Sequence, residues 1–471
     1  MKKTLSLLVL LAVISACHDS KDKSSKDDAQ MDGTENPLMA ESTLPYFAPD
    51  FSKIKNEHFK PAMIQGMEEQ KKAVESIANS SEEPTFENTI VALEKSGELL
   101  GRASQVFYAL ASAHTNDDIQ VISEEMAPKF SAQQDAIYLN EKLFNRIKTL
   151  YEKRESLGLD SESLKLLEDY YENFEIAGAN LSAEDKEKLK EINSNLATLT
   201  NKFGKVLLAA NNDGAVVFED KKYLTGVSED VLESRKVEDG EGWKIPLQNT
   251  TQQPLLQSMD NREAREELFT AGYMRADGGK NDTREIVAQI VKLRTQKAEL
   301  LGFKNYAEWS LQNTMAKTPE NVNNLFAGLV AAGTAKAQNE SDEIQKMIAS
   351  EGEDFKVEPW DWNYYAEKVR IAKYDLDEEQ IKPYFEMNKV LEDGVFYAAT
   401  KLYGITFKKR TDIPTYHEDV MVYELFEENG DQLGLFYADF FARPSKRGGA
   451  WMSNFVTQSK LYNKKPVIYN V

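Results

Sequence analysis

The sequence predicts a mainly α-helical protein with a small antiparallel β-sheet near the C-terminal end of the chain. Three observations carry this prediction. Apolar residues recur at steps of three and four over long stretches, the span 211–260 is broken by Gly and Pro, and the chain after Phe407 turns to β-branched and aromatic runs split by an Asn-Gly pair.

Taken in order, the chain opens with Lys2 and Lys3, an apolar run from Leu5 to Ile14, and then Ser15-Ala16-Cys17. That is the pattern of a secretory signal peptide. The run is well short of the roughly 20 residues a membrane-crossing helix needs, so a retained span is not expected. Ile14-Ser15-Ala16-Cys17 resembles the bacterial lipobox, which makes Cys17 the expected lipid-attachment residue and 1–17 the expected lipoprotein signal peptide. Residues 18–35, rich in Ser, Lys and Asp, read as a flexible tether. Cys17 is the only cysteine among 471 residues, so no internal disulfide is available and the fold must rest on its core. The length suggests two or three structural units. The expected division is an N-terminal helical region over 36–210, a mixed loop, strand and helix region over 211–280, and a helical lobe followed by a β-hairpin over 281–471.

The clearest helix begins at Ser182, with Asp185 three residues on in an approximate capping box. Leu189, Ile192, Leu196, Leu199, Phe203 and Val206 then fill one face. A second long helix is predicted over 283–301, with Ile286, Ile290, Leu293 and Leu300 on a stripe and Gly302 as its stop. Near the end of the chain, Val420 to Phe426 and Leu433 to Phe440 read as strands joined through Asn429-Gly430. A third strand is predicted over 466–471, and its partners are expected to be missing because the sequence stops within it.

Charge and motifs exclude several chemistries. The balance of 57 basic and 78 acidic residues, net −21, repels phosphate backbones and argues against nucleic-acid binding. It also disfavours adsorption to anionic membranes, so membrane attachment would run through acylated Cys17. The chain has four histidines, His18, His58, His114 and His417, none within five residues of another, and no His-Glu-x-x-His. Structural or solvated roles are expected for all four. There is no Gly-x-Ser-x-Gly elbow and no phosphate-binding loop. The aromatic cluster Trp360-Asp361-Trp362 with Tyr364 and Tyr365 reads first as core packing and second as a cleft wall for peptide side chains.

Several stretches resemble the thimet oligopeptidase family of zinc metallopeptidases, and most of all its bacterial peptidyl-dipeptidases, also called dipeptidyl carboxypeptidases. They are Pro84 to Thr89, Ala113-His114-Thr115-Asn116-Asp117, Asn281 to Arg284, Leu301 to Ala307, the Trp360-Asp361-Trp362 block, and Leu435 to Trp451 with its Arg443-Pro444-Ser445-Lys446-Arg447-Gly448-Gly449 run. The likeness begins at Asn36 and runs to the last residue. It implies a two-lobed helical fold around a deep channel, one zinc held by two histidines of a His-Glu-x-x-His helix and a later glutamate, and release of C-terminal dipeptides from short peptides. Those zinc and catalytic residues find no counterpart here, so neither a catalytic nor a metal residue is assigned within this chain, and the chain is expected to stop before the zinc helix. As written it is expected to be inactive alone, without stoichiometric zinc or chelator-sensitive dipeptide release. Val467, Ile468, Tyr469 and Asn470 are expected to form a strand lining the channel whose backbone holds extended peptide by β-augmentation.

The expected function is thus that of the N-terminal part of an exported, lipid-anchored peptidyl-dipeptidase, monomeric, acting on short peptides. The alternative is a catalytically inactive anchored peptide-binding or scaffold protein. His18 after Cys17 points to the outer membrane, facing the periplasm or the cell surface.

Overall fold

A computed structural model of the chain describes residues 36–237, 240–375 and 378–471. The signal peptide, Cys17 and the tether lie outside the described residues. Helices dominate the first half of the described chain: α1 (Asn56–Ala78), α2 (Ala92–Glu94), α3 (Glu98–Ala113), α4 (Asp117–Tyr138), α5 (Glu141–Glu152), α6 (Ser161–Ala177) and α7 (Ala183–Asp213). Their starts are chemically marked. Asn116, Asn140, Asp160 and Ser182 each accept the backbone N–H three residues on, at 3.0, 3.0, 2.8 and 3.1 Å, satisfying a donor that the first helical turn leaves unpaired. Gly178 closes α6 at φ 103°, a left-handed conformation that favours glycine.

The helix predicted from Ser182 is α7, running on to Asp213. Its apolar stripe lies on one face, and of that stripe only Leu189 is fully buried. The helix packs on α4 along one flank and on α11 (Arg284–Leu300) along another. Leu196 of the stripe lies between those contacts, on the wall of an open groove.

Residues 211–260, broken by Gly and Pro in the sequence, are loop and short strand and also hold short helices. Strand β1 (Val216–Phe218) pairs antiparallel with β2 (Trp243–Ile245), flanked by α8 (Glu229–Glu233) and α9 (Asn249–Ser258). With α10 (Arg262–Tyr273) they close a separate core around Phe218, Leu255, Met259 and Leu268. The predicted helix over 283–301 is α11, and Gly302 follows it at φ 85°. Beyond it come α12 (Tyr306–Ser310), α13 (Pro319–Ser350) and α14 (Pro359–Tyr374). Among the described residues no helix is long and apolar enough to cross a membrane.

Five strands form the C-terminal sheet: β3 (Thr406–Arg410), β4 (Met421–Phe426), β5 (Gln432–Ala438), β6 (Met452–Val456) and β7 (Val467–Asn470), in the order β3-β4-β5-β7-β6. The predicted hairpin is β4–β5, with Gly430 at φ 88° in its turn. Three of the four pairings are antiparallel, and β5 with β7 is parallel. The last strand is therefore not short of partners, because β7 inserts between β5 and β6.

The expected division of the chain cuts across a core. Phe59, Met63, Ala103, Phe107 and Met126 of the N-terminal helices share one apolar cluster with Ile413, Val422, Tyr437, Phe455, Val467 and Tyr469 of the C-terminal sheet. The two-residue period of β5 and β7 turns Leu435, Tyr437, Val467 and Tyr469 inward onto those helices. Each fully buried Phe in this cluster contributes roughly 2–3 kcal/mol from burial alone. The sheet thus packs with region 36–210, although residues 211–405 lie between them in sequence.

Candidate functional site

The site begins at the C-terminal end of α3. A helix end leaves carbonyls unpaired, and here the segment 443–447 supplies their partners. Arg443 donates to the carbonyl of Ala113 through Nε at 3.0 Å and Nη2 at 2.7 Å, and the Arg447 N–H donates to Ser112 O at 2.9 Å. One residue further, the Thr115 N–H donates to Ser445 O at 2.9 Å. A guanidinium at this position also complements the negative end of the helix. Two of the stretches that carry the family resemblance, Ala113 to Asp117 and Arg443 to Trp451, are therefore in direct contact.

Arg443 is fixed in turn by Asp439, which is fully buried at the end of β5. The Asp439 carboxylate accepts from Arg443 Nη1 at 2.8 Å, Lys446 Nζ at 2.9 Å and the Tyr416 hydroxyl at 2.7 Å. Lys446 also donates to the carbonyls of Asp439 and Phe441, at 2.6 and 2.8 Å. Burial alone would raise the Asp439 carboxyl, but the hydrogen bonds from Arg443, Tyr416 and Lys446 outweigh it and hold it below the usual carboxylate range. Burial pushes the Lys446 ammonium down and the Tyr416 hydroxyl up. Two cations on one anion leave this hub net positive.

His114 and His417 face one another beside the hub, ring centroids 5.2 Å apart and edge to face. Burial, then the neighbouring Arg443 and His417, push His114 down. His417 Nδ1 accepts from the Asp419 N–H at 3.2 Å, and His58 Nδ1 accepts from the Lys55 N–H at 3.1 Å. Among the described residues no group of three or more His, Cys, Asp or Glu is placed to hold a metal ion, so these residues do not fit a three-ligand zinc site.

Next to the hub stands β6, one of the two edge strands of the sheet. Trp451 and Val471 exchange both backbone hydrogen bonds, at 3.0 and 2.8 Å, and form a hydrogen-bonded pair at the start of β6. Alternation along an antiparallel ladder then turns the N–H and C=O groups of Met452 and Asn454 away from β7, toward an edge with no further strand among the described residues. Such an edge can accept an extended chain.

This corrects the expectation for Val467, Ile468, Tyr469 and Asn470. Their strand is paired on one side by β5 and on the other by β6, so their backbone groups are committed to the ladder. Val467 and Tyr469 point into the shared core, and Asn470 Nδ2 donates to Trp451 O at 3.2 Å. The edge strands open to augmentation are β3 and β6, and of the two β6 is the one beside the hub. It escaped the sequence reading because Met452-Ser453-Asn454-Phe455-Val456 is short and polar at its middle. Asp439, Arg443 and Lys446 escaped as well, since an acid and two cations in an exposed-looking loop read as surface.

From Ser112, Thr115 and Arg447 a groove of about 970 Å³ runs along α4 and α7 to Lys297, Tyr306 and Trp309. The aromatic block at 360–365 is elsewhere. Asp361 is fully buried and accepts from Arg262 and Arg265, tying α10 to α14, while the Arg262 guanidinium stacks 4.2 Å over Phe355. The packing role, rather than the cleft wall, is the one the geometry gives this block.

Comparison with known proteins points the same way as the sequence resemblance. Residues 255–471 match the model of peptidase family M3. The dipeptidyl carboxypeptidase of Escherichia coli K12 is 49% identical over 444 residues, 93% of this chain and 65% of that protein. Its counterpart from Salmonella typhimurium LT2 is 47% identical over 442 residues, and oligopeptidase A from the same organism is 30% identical over 446 residues. The chain spans 65% of the length of each of these relatives. A solved structure, PZ peptidase A with inhibitor 2, is similar at TM-score 0.47 and 17% identity, covering 89% of this chain and 60% of that one.

Proposed function

We propose, from the match of residues 255–471 to peptidase family M3 and the likeness to dipeptidyl carboxypeptidases, that this chain is the peptide-holding part of an exported, lipid-anchored peptidyl-dipeptidase that releases C-terminal dipeptides from oligopeptides. The observation that carries the reading is the 49% identity to a dipeptidyl carboxypeptidase along 93% of the chain. Zinc, which the family implies, would supply polarisation of the peptide carbonyl and of water. The described residues take a different share of the work. Backbone groups of Met452 and Asn454 hold an extended peptide as a further strand, and the Asp439 hub keeps the segment leading into β6 against α3. Holding the reacting bond in one geometry is itself a large part of catalysis.

Acylation of Cys17 would place this peptidase on the outer membrane, facing the periplasm or the surface, as a monomer. The test is an assay of the protein expressed from its own reading frame. Membrane fractions are incubated with a defined oligopeptide, with and without chelator, and the products are read by mass spectrometry. Chelator-sensitive loss of dipeptides from the C-terminus supports the reading. Release of single residues, or of N-terminal fragments only, overturns it. Peptide binding without any release favours the second reading, an anchored peptide-binding protein.

A further inference from the structure

Between β3 and β4 the chain bends back to the end of α3, and the bend brings two imidazoles together. His114 follows the last residue of α3, and the His417 ring stands edge to face with it, centroids 5.2 Å apart. The Tyr416 ring lies 6.3 Å from the same His114 ring, and its hydroxyl donates to Asp439 at 2.7 Å. His114 also meets the loop after β5. Ser445 Oγ is 3.4 Å from His114 Nδ1, and the N–H of the next residue, Thr115, donates to Ser445 O at 2.9 Å. The pair therefore stands where α3, the β3–β4 connection and the 443–447 segment join.

His417 Nδ1 accepts the Asp419 N–H at 3.2 Å, so that nitrogen carries no proton and the ring is uncharged in this geometry. A proton added there would abolish the bond and set two N–H groups against each other. The charged ring would turn instead to the Asp419 carboxylate, 3.4 Å away, and turning it undoes the edge-to-face contact with His114. His114 has less choice. The hub beside it holds two cations, Arg443 and Lys446, on the one acid Asp439, and Asp419 is close enough to act on Lys446 as well. Glu418 beside His417 is exposed, as are Asp117 and Asp118 in the first turn of α4. A third positive charge next to Arg443 and Lys446 is thus resisted.

We infer that His114 and His417 are a proton-sensitive positioning pair: uncharged, they hold Ser445 and the loop leading into β6 against the end of α3, and on protonation they release that loop and weaken the grip of the β6 edge on peptide. The inference rests on the peptide-holding reading above and adds a regulation to it. Its direction follows from His114, which burial, Arg443 and His417 push down. A base whose folded pKa lies below its unfolded one contributes stability that is complete above the unfolded value, about 6.5, and is lost as pH falls below it. Peptide is held at neutral pH and let go in mild acid.

The test is calorimetric titration of the full chain, from pH 7.5 to pH 5, with an acetylated, amidated hexapeptide that has no ionisable side chain. Affinity should fall about fivefold or more across that window, since each proton taken up on release allows up to about tenfold per pH unit. The double variant His114→Gln, His417→Gln, its folding checked by thermal melt, should bind with an affinity that no longer changes with pH. A purely structural pair would instead weaken binding equally at every pH. A second readout needs no variant. With histidine labelled by nitrogen-15, saturating peptide should move the titration of both rings to lower pH, the reciprocal of the same coupling. A wild-type affinity that is flat with pH, the same pH slope in the double variant, or ring titrations untouched by peptide overturns the inference and leaves the peptide-holding reading standing. No binding of the peptide at pH 7.5 overturns both.

Discussion

Arg443 reaches across 330 residues of sequence to place two N–H groups on the carbonyl of Ala113, at 3.0 and 2.7 Å, while its other face is held by Asp439. One side chain therefore ends a helix, neutralises a buried acid and positions the loop that leads into the sheet edge.

Replacing it isolates these roles. Arg443→Met is expected to lose about 3 kcal/mol in urea unfolding, because Ala113 O is left unpaired and Asp439 keeps one cation instead of two. Arg443→Lys should recover only part of that loss, since a single ammonium cannot span the carbonyl and the carboxylate as the planar fork does. Full recovery by lysine would refute the bidentate role.

Asp439 has a signature in pH. Its unfolded value lies near 3.9, and in the fold it is held lower. A depressed folded pKa adds stability that is complete above the unfolded value and drains away as pH falls through the folded one. The native chain should therefore weaken as pH drops below about 4, and Asp439→Asn should show a flatter acid limb. At neutral pH the variant should be less stable by about 3–5 kcal/mol, since Arg443 and Lys446 lose their buried counter-charge. Unfolding midpoints measured from pH 7 to pH 3 check both statements.

The edge of β6 can be tested with two adjacent prolines. Met452→Pro removes an N–H that points away from β7, so it should weaken binding of an extended peptide about tenfold and leave thermal stability nearly unchanged. Ser453→Pro removes a ladder donor facing Tyr469 and should destabilise the chain by about 3 kcal/mol. If the two variants behaved alike in binding and in melting, the assigned direction of the β6 backbone would be wrong.

Membrane attachment depends on one atom in this account. Cys17→Ala should move the protein from the membrane pellet to the soluble fraction, because the acidic body offers little attraction to an anionic bilayer. Retention in the pellet would show that something other than acylation holds it.

What sequence could reveal here follows from range. The long helix at 183–213 and the β4–β5 hairpin were legible because their signals are local: Ser182 caps its own helix, and Asn429-Gly430 turns its own strands. The packing of the helices and the order of the sheet were not. The expectation that β7 lacked partners failed because β6, the strand that covers it, carries Ser453 and Asn454 where an alternating apolar pattern would need a stronger signal. The buried hub failed to show for a related reason. Asp439, Arg443 and Lys446 have the composition of a solvated loop, and only the carbonyl ends of α3, far away in sequence, make burying them favourable.

The core shared by the N-terminal helices and the C-terminal sheet also has a consequence in time. During synthesis Phe59, Phe107 and Met126 leave the ribosome long before Tyr437, Phe455 and Tyr469 exist to cover them. At about 5–20 residues per second the interval is on the order of tens of seconds. Over that interval the early helices present an uncovered apolar face, which makes the nascent chain a natural client for holding chaperones. The shared core closes only when β7 slides between β5 and β6.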